Sequence, residues 1–584
     1  MAIEDLPIFC YYDVQRFKQF GAMDCANWYT VVAESGKKGM AMYPAMGRKH
    51  ITLFNESKLV FNNEPRQIFK SIDYLYVVEG SKVYQFDKFY NRKTLTAITL
   101  QLGTKIWYAT LAVDTTVYTM ITDGQDIFVI TENGSSVSAA KVTDVNRPRA
   151  PAYVAAFGNR FVVSNSKTPN FFLTQIDLAG DPTNYFTINS APLFARASGI
   201  INQMAVLHNQ LYIFCNFTTD VWANIVTQVT VAGVTRTFPW KINSSYNFDY
   251  GISDPESLTI GFGRMVWLAQ NADGLVSFVA TNGQAPGDIS SQAINVLLEN
   301  SSDPNGTLSP FLLNEVSAFI YQYENTIFYR ASAGEYLDTG ELDITQTAYS
   351  IEYNFETEKW GRVIEANGER NRIEKHVYYN NQHLVTVQND PVIYQMSGNI
   401  YSNELRNAAQ ENQNATDAFF RYPMRYELVT KQLFLPAYAE FVDDYVQIDF
   451  VFGNQSFYKS SAPFGNTVFL VSEESTPEVP IFIVTEDNQY IIEEGTNTPS
   501  LNDIFYNTLF KPHIELYYSD DGGVTFTTAD LREFSALGEY EWCMRWYELG
   551  ASRNRCYKLV CVSSAPIVIL GAVRNTRRVS GGGN

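Results

Sequence analysis

The 584-residue sequence is poor in the groups that carry chemistry. Its five histidines, at 50, 208, 376, 383 and 513, never cluster. His376 and His383 lie seven apart around an expected turn and read as two ordinary exposed side chains, a metal pair being the alternative. The patterns G-x-x-x-x-G-K-[ST], H-E-x-x-H and C-x-x-C do not occur, so the phosphate loop, the zinc-protease helix and the dithiol pair have no sequence support. Cysteine is scarce. Six in a chain of this length do not make a disulfide scaffold, and the spacings of Cys543, Cys556 and Cys561 fit no structural zinc pattern. Reduced core thiols are expected.

Long apolar runs are missing as well. The longest charge-free stretch, 197–219, is interrupted by Asn202, Gln203, His208, Asn209 and Gln210. A membrane helix needs about 20 predominantly apolar residues, so no transmembrane segment is expected. The start, "MAIEDLPIFC", has Glu4 and Asp5 where a signal peptide would carry basic residues. Positive charge is also in deficit. Against 62 Asp and Glu stand 43 Lys and Arg, and the net charge of −19 repels phosphate backbones and anionic lipid.

Aromatic residues are abundant at 14%, which favours pleated, half-buried surfaces. A unit recurs, with short alternating runs around Gly/Asn/Asp turns and anchor pairs Leu75-Tyr76, Ile127-Phe128, Phe161-Val162, Leu211-Tyr212, Val266-Trp267, Ile327-Phe328 and Leu384-Val385. The mean spacing is about 52 residues, near the period of multi-stranded propeller blades. "YNFETEKWGRV" adds a kelch-like strand–turn–Trp phrase. The expected fold is mainly β: a β-propeller of six or seven blades plus a second β-rich domain carrying an acidic β insertion. The boundaries expected are 1–70 for strands closing or bracing the propeller, and 71–396 for the propeller itself. A linker and the first part of the second domain follow over 397–459, then the insertion over 460–510 and a C-terminal β region over 511–584. One helix is expected in "GDISSQAINVLLEN", with Asp288 or Ser290 as N-cap and Ile289, Ala293, Val296 and Leu297 as its apolar stripe.

"YYSDDGGVTF" contains Ser519, Asp521, Gly523, Thr525 and Phe526 in the pattern of the Asp box, best known from sialidase propellers. The box is a hairpin device: its Ser and Asp bond turn backbone groups while the aromatic packs beneath. It occurs once, and no motif groups the arginines or pairs two carboxylates for glycoside hydrolysis. No active site and no cofactor are expected.

The passage that follows the box resembles the C-terminal region of the tail nozzle proteins of short-tailed phages, also described as tail hubs or packaged-DNA stabilisation proteins. The resemblance is carried by 519–526, by Leu537, Gly538, Glu539 and Tyr540, by Arg545, Trp546, Leu549, Gly550, Arg553, Arg555 and Tyr557, and by Ile569, Leu570, Gly571 and Ala572. It is specific over about 60 residues, diffuse over about 350, and absent from the acidic insertion. "YPAMG" stands where the family has Pro-Gly. The resemblance implies a virion tail protein assembled in the host cytoplasm into a ring of six identical subunits. Such a ring sits below the tail adaptor (the head-to-tail connector), can meet tail fibres or spikes, and passes double-stranded DNA without sequence-specific binding. Arg545, Arg553 and Arg555 are then candidate subunit or DNA contacts, with the subunit interface preferred. Glu473, Glu474, Glu478, Glu486, Asp487, Glu493, Glu494 and Asp503 are a candidate acidic collar at the channel tip, a solvated surface insertion being the alternative. Two other classes stay open: a receptor-binding or lectin-like propeller, and a glycosidase.

Overall fold

Seven four-stranded antiparallel sheets follow one another in the computed structural model. The structure describes residues 2–579 except 16–20, 33–38, 54–55, 58, 176–182, 187–192, 195–198, 226, 232–233, 239–240, 243–246, 300–315, 335–348, 407–418, 453–481, 485–489, 493–512 and 534–540. Blade 1 runs from Pro65–Lys70 to Arg92–Thr94, blade 2 from Trp107–Val113 to Ser136–Lys141, and blade 3 from Pro151–Phe157 to Leu193–Phe194. Blade 4 runs from Gln203–Leu207 to Lys241–Ile242, blade 5 from Thr259–Gly261 to Gly287–Asp288, and blade 6 from Val316–Tyr323 to Lys359–Arg362. Blade 7 takes three strands from 373–397 and its fourth, Gly47–His50, from the N-terminal region.

The turn chemistry repeats with the blades. In blades 3 to 7 the first and second strands are joined by Gly158-Asn159, His208-Asn209, Phe262-Gly263, Glu324-Asn325 and Asn380-Asn381, all with positive φ at both positions. That is the hairpin turn whose twist matches paired strands. Six of the seven anchor pairs lie on second strands; Ile127-Phe128 lies on the third strand of its blade, Ile127–Asn133. The second strands are buried on both faces, which departs from the half-buried expectation. In Leu75–Glu79, Leu75 and Val77 pack toward blade 7 while Tyr76 and Val78 pack toward blade 2. Alternation therefore selects which neighbouring blade a side chain meets. Seven apolar clusters fill the seven spaces between blades, the last joining blade 7 to blade 1, so the propeller is closed.

The second domain is a two-sheet sandwich built from both ends of the chain. One sheet has the order Trp28–Val32, Met40–Pro44, Ile567–Arg578, Phe441–Phe452, Glu541–Tyr547, with Ala2–Asp5 and Ala551–Ser552 added. The other centres on Phe419–Val429, flanked by Ala22–Ala26, Ser402–Arg406 and Cys556–Ser563, and extended by His513–Ser519 and Thr527–Glu533. Leu6, Ile8, Trp28, Tyr426, Ile448, Trp546, Leu559 and Ile569 form part of the core between them. The N-terminal strands thus build sandwich as well as propeller, and Ser402–Arg406 is a strand within the expected linker.

Backbone pairing continues from the propeller into the sandwich. Ala26 pairs with Arg362 of blade 6, and Asn403 pairs with Arg48 of blade 7. Buried polar groups reinforce the seam. Arg48 makes a two-pronged contact with Glu365 (2.6 and 3.1 Å), and Arg362 reaches Asp24 (2.5 Å) and Glu427 (3.5 Å). The helix α1, Gln292–Glu299, starts one residue later than the expected caps allow. Ser291 Oγ accepts from Ile294 N, whereas Ser290 Oγ accepts from Phe278 N of blade 5. Its buried stripe is Ala293, Ile294, Leu297 and Leu298, packed between blades 5 and 6.

Candidate functional site

The Asp-box turn joins His513–Ser519 to Thr527–Glu533. The Asp521 carboxylate accepts from Ser519 Oγ (2.7 Å), Val524 N (3.0 Å), Thr525 N (2.9 Å) and Thr525 Oγ1 (2.6 Å), and Ser519 Oγ accepts from Gly523 N (2.8 Å). Slight desolvation acts upward on this carboxyl, but the donors outweigh it and hold it well below the usual carboxylate range. Its acceptor capacity is directed into its own turn. Gly523 has φ +91°, and a Cβ there would lie 2.4 Å from Ala22 Cβ. Phe526 packs on Ala22, Val429 and Cys556. The box therefore clamps an N-terminal strand to the C-terminal hairpin.

The three arginines do not form a group. Arg555 is fully buried, which corrects its assignment as a subunit or DNA contact. Its Nε donates to Asp520 Oδ1 (2.8 Å), its Nη1 lies 3.8 Å from Asp443 Oδ2, and its guanidinium lies over the Tyr518 ring. Asp443, also fully buried, accepts from Tyr557 OH (2.5 Å). The alternation that would put Arg555 on a solvated face fails because Asp443 supplies a buried counter-charge. Arg553 is exposed, 3.9 Å from Glu440; Arg545 is exposed, donates to Gln447 Oε1 (2.8 Å) and covers Tyr445. All eight residues of the acidic collar lie outside the described residues; nearby, Phe482–Val484 pairs with Tyr490–Ile492.

A second constellation spans the propeller bore. Glu256, in the short 3-10 turn Pro255–Ser257 before blade 5, receives Lys105 Nζ from the entry to blade 2 (2.5 Å) and Lys375 Nζ from the inner strand of blade 7 (2.5 Å). Blades 2 and 5 stand on opposite sides of a seven-bladed ring, so this carboxylate crosses the axis. Asp254 holds the turn by accepting from Glu256 N (2.7 Å) and Val316 N (3.3 Å). Burial alone would raise the Glu256 carboxyl, but the Lys375 and Lys105 ammoniums overcome it and hold it at about 2. Beside the bridge, Thr104, Lys105, Trp107, Tyr153, Ser253 and Asp254 help line a cavity of about 340 Å³. Sequence reasoning missed this set because its members lie far apart in the chain with no common spacing.

The two histidines expected to be ordinary surface groups meet. His376 Nε2 and His383 Nδ1 are 2.9 Å apart, and His376 is stacked on Phe319 of blade 6. Burial pushes both imidazoles below their ordinary range, with His383 and Arg330 adding to the effect on His376. At that distance one imidazole nitrogen donates to the other. Among the described residues no group of three or more His, Cys, Asp or Glu is placed to hold a metal, and no helix is long and apolar enough to cross a membrane.

No family model and no curated protein matches the chain. Solved structures with a similar course include the Pan2 WD40 domain of Neurospora crassa, at 8% identity and TM-score 0.31, covering 61% of this chain and 94% of that one. The nidogen/laminin complex follows at 11% and 0.27, covering 51% and 95%. PorZ of the Porphyromonas gingivalis type-IX secretion system follows at 10% and 0.20, covering 61% and 56%. At these identities and scores they lend this chain no functional statement.

Proposed function

We propose that the chain is a structural subunit of a short-tailed phage tail, one copy of a ring-forming nozzle that retains packaged DNA and conducts it during ejection. The observation that carries this reading is the C-terminal passage from Ser519 to Ala572, whose turn, Arg-Trp phrase and closing Ile569-Leu570-Gly571-Ala572 match the nozzle pattern in order. Two physical features support it. The net charge of −19 suits a wall along which a duplex must slide, since each phosphate–cation contact adds affinity. Backbone pairs and buried ion pairs also tie propeller to sandwich within each subunit, as a load-bearing wall would require. The DNA path in this reading runs between copies. The bore of a single propeller is bridged by Glu256, and a duplex, whose major groove alone is about 12 Å wide, does not fit there. No catalytic step is assigned.

The test is electron microscopy of the purified chain, alone and with the tail adaptor. Closed rings with a central hole are expected. Monomers under both conditions overturn the reading. A receptor-binding, lectin-like role is the second reading, favoured by the cavity at the bore, where Trp107 and Tyr153 meet edge to face at 5.0 Å. Binding on a glycan array, lost on Trp107→Ala, would favour it.

A further inference from the structure

Charge is distributed very unevenly along this acidic chain. Residues 541–584 carry seven Lys and Arg against two Asp and Glu, a net +5, whereas the preceding 540 residues carry a net −24. Three of the seven cations are already engaged: Arg555 with Asp520 and Asp443, Arg574 with Glu4, and Lys558 with Glu427. Three of the others gather at one end of the sandwich. Strand register sets Phe441 opposite Arg578 and Ser552, and Val442 opposite Arg577 and Ala551, which brings Arg553, Arg577 and Arg578 to the start of Phe441–Phe452. Arg577 lies 3.0 Å from Asp444 and Arg553 only 3.9 Å from Glu440; Arg578 has no ion pair among the described residues.

The loop entering that strand is unusual in its own right. Phe434 and Tyr438 are 52% and 69% exposed, with ring centroids 5.6 Å apart. Ala437 and Tyr438 have φ of +58° and +51°, a left-handed conformation that side-chain-bearing residues adopt only at a cost. Between the loop and the arginines lies a cleft of about 320 Å³, lined by Leu435, Pro436, Ala439, Thr576, Arg577 and Arg578 and by Glu4, which is paired with Arg574.

We infer that this basic, aromatic pole is the surface that receives an acidic face of a second copy of the chain, and that the contact is head-to-tail. The inference rests on the ring reading above and supplies its contact. Copies of net charge −19 repel one another unless their cations lie at the seam. A cationic patch cannot be its own mate, which excludes a twofold contact of the pole with itself. Contacts between unlike surfaces close into rings when the rotation permits. Tyr, Phe and Arg are the residues enriched in interface centres. Duplex DNA is the poorer occupant, because a duplex offers no open base face to the aromatic pair.

The experiment measures assembly by mass photometry for the full chain, for Arg553→Glu/Arg577→Glu/Arg578→Glu and for Phe434→Ser/Tyr438→Ser. All five positions are exposed, and an unchanged circular dichroism spectrum and unfolding midpoint verify folding. Each variant should raise the concentration for half-assembly by at least about tenfold, and wild-type assembly should weaken as salt rises from about 0.1 to 1 M. Rings that form equally well in the charge-reversed variant overturn this inference and leave the nozzle reading standing. A twofold dimer, or a variant that assembles normally but loses duplex binding, also overturns it. Wild-type monomers at every concentration, even with the adaptor, overturn the nozzle reading itself.

Discussion

Replacing Glu256 with Gln keeps the shape of the bore bridge and removes its charge. The carboxyl sits at about 2 in the folded chain against an ordinary 4.5, and that difference corresponds to about 3 kcal/mol of stabilisation near neutral pH. The folded value is the lower one. The contribution is therefore complete above pH 4.5, falls to about half by about pH 3, and is gone below 2. In urea the variant's midpoint should drop near neutral pH, by less than the roughly 1 M that a small protein's slope of about 3 kcal/mol per molar would give. The gap between the proteins should narrow steadily as the medium is acidified. Lys375→Met should cost a similar amount, and the double variant should lose less than the sum, because Glu256 and Lys375 are in direct contact. The readout is tryptophan fluorescence across a urea–pH grid. A Glu256→Gln midpoint equal to wild type at neutral pH, or a gap that persists undiminished in acid, would refute the bridge as a closing element of the propeller.

Gly523→Ala forces a Cβ into Ala22 at a positive φ, and should cost about 2 kcal/mol or more; an unchanged urea midpoint would refute the close approach. Asp521→Ala removes four acceptor contacts and should cost about 1–2 kcal/mol while abolishing no reaction. Loss of a glycoside turnover from a folded Asp521→Ala protein would revive the hydrolase alternative. Because burial holds His376 and His383 below their ordinary value, the unfolded chain binds protons first. Stability contributed by this pair is present above about 6.5 and declines below it, and His376→Gln should flatten that decline in the thermal midpoint. An identical slope in both proteins would show that the pair does not titrate with unfolding.

Much of the propeller was legible because its information is local. Two-residue turns such as Asn380-Asn381 and His208-Asn209 are read directly, and second strands such as Leu211-Tyr212-Ile213 announce themselves by composition. The hairpin role of the Asp box was legible for the same reason, since donors and acceptor lie within seven residues. Arg545 and Arg553 are exposed as expected, but Arg555 was misread because strand alternation reports only which face a side chain takes. Whether that face is wet depends on what the fold lays over it, and Asp443, 112 residues away, covers Arg555.

By itself, then, the sequence determined the all-β class, the repeat, the presence of tight Gly/Asn/Asp turns and the acidity, because each depends on neighbours within one hairpin or on composition. Only the tertiary structure decided the count of seven, through a seventh blade that borrows Gly47–His50 from the N-terminal region. It also decided the sandwich shared by both chain ends, the carboxylate across the bore and the meeting of His376 with His383. Each joins segments that are distant in the chain or belong to different strands, and such contacts are chosen by the closure of the ring and the burial of opposite charge, which no local pattern encodes.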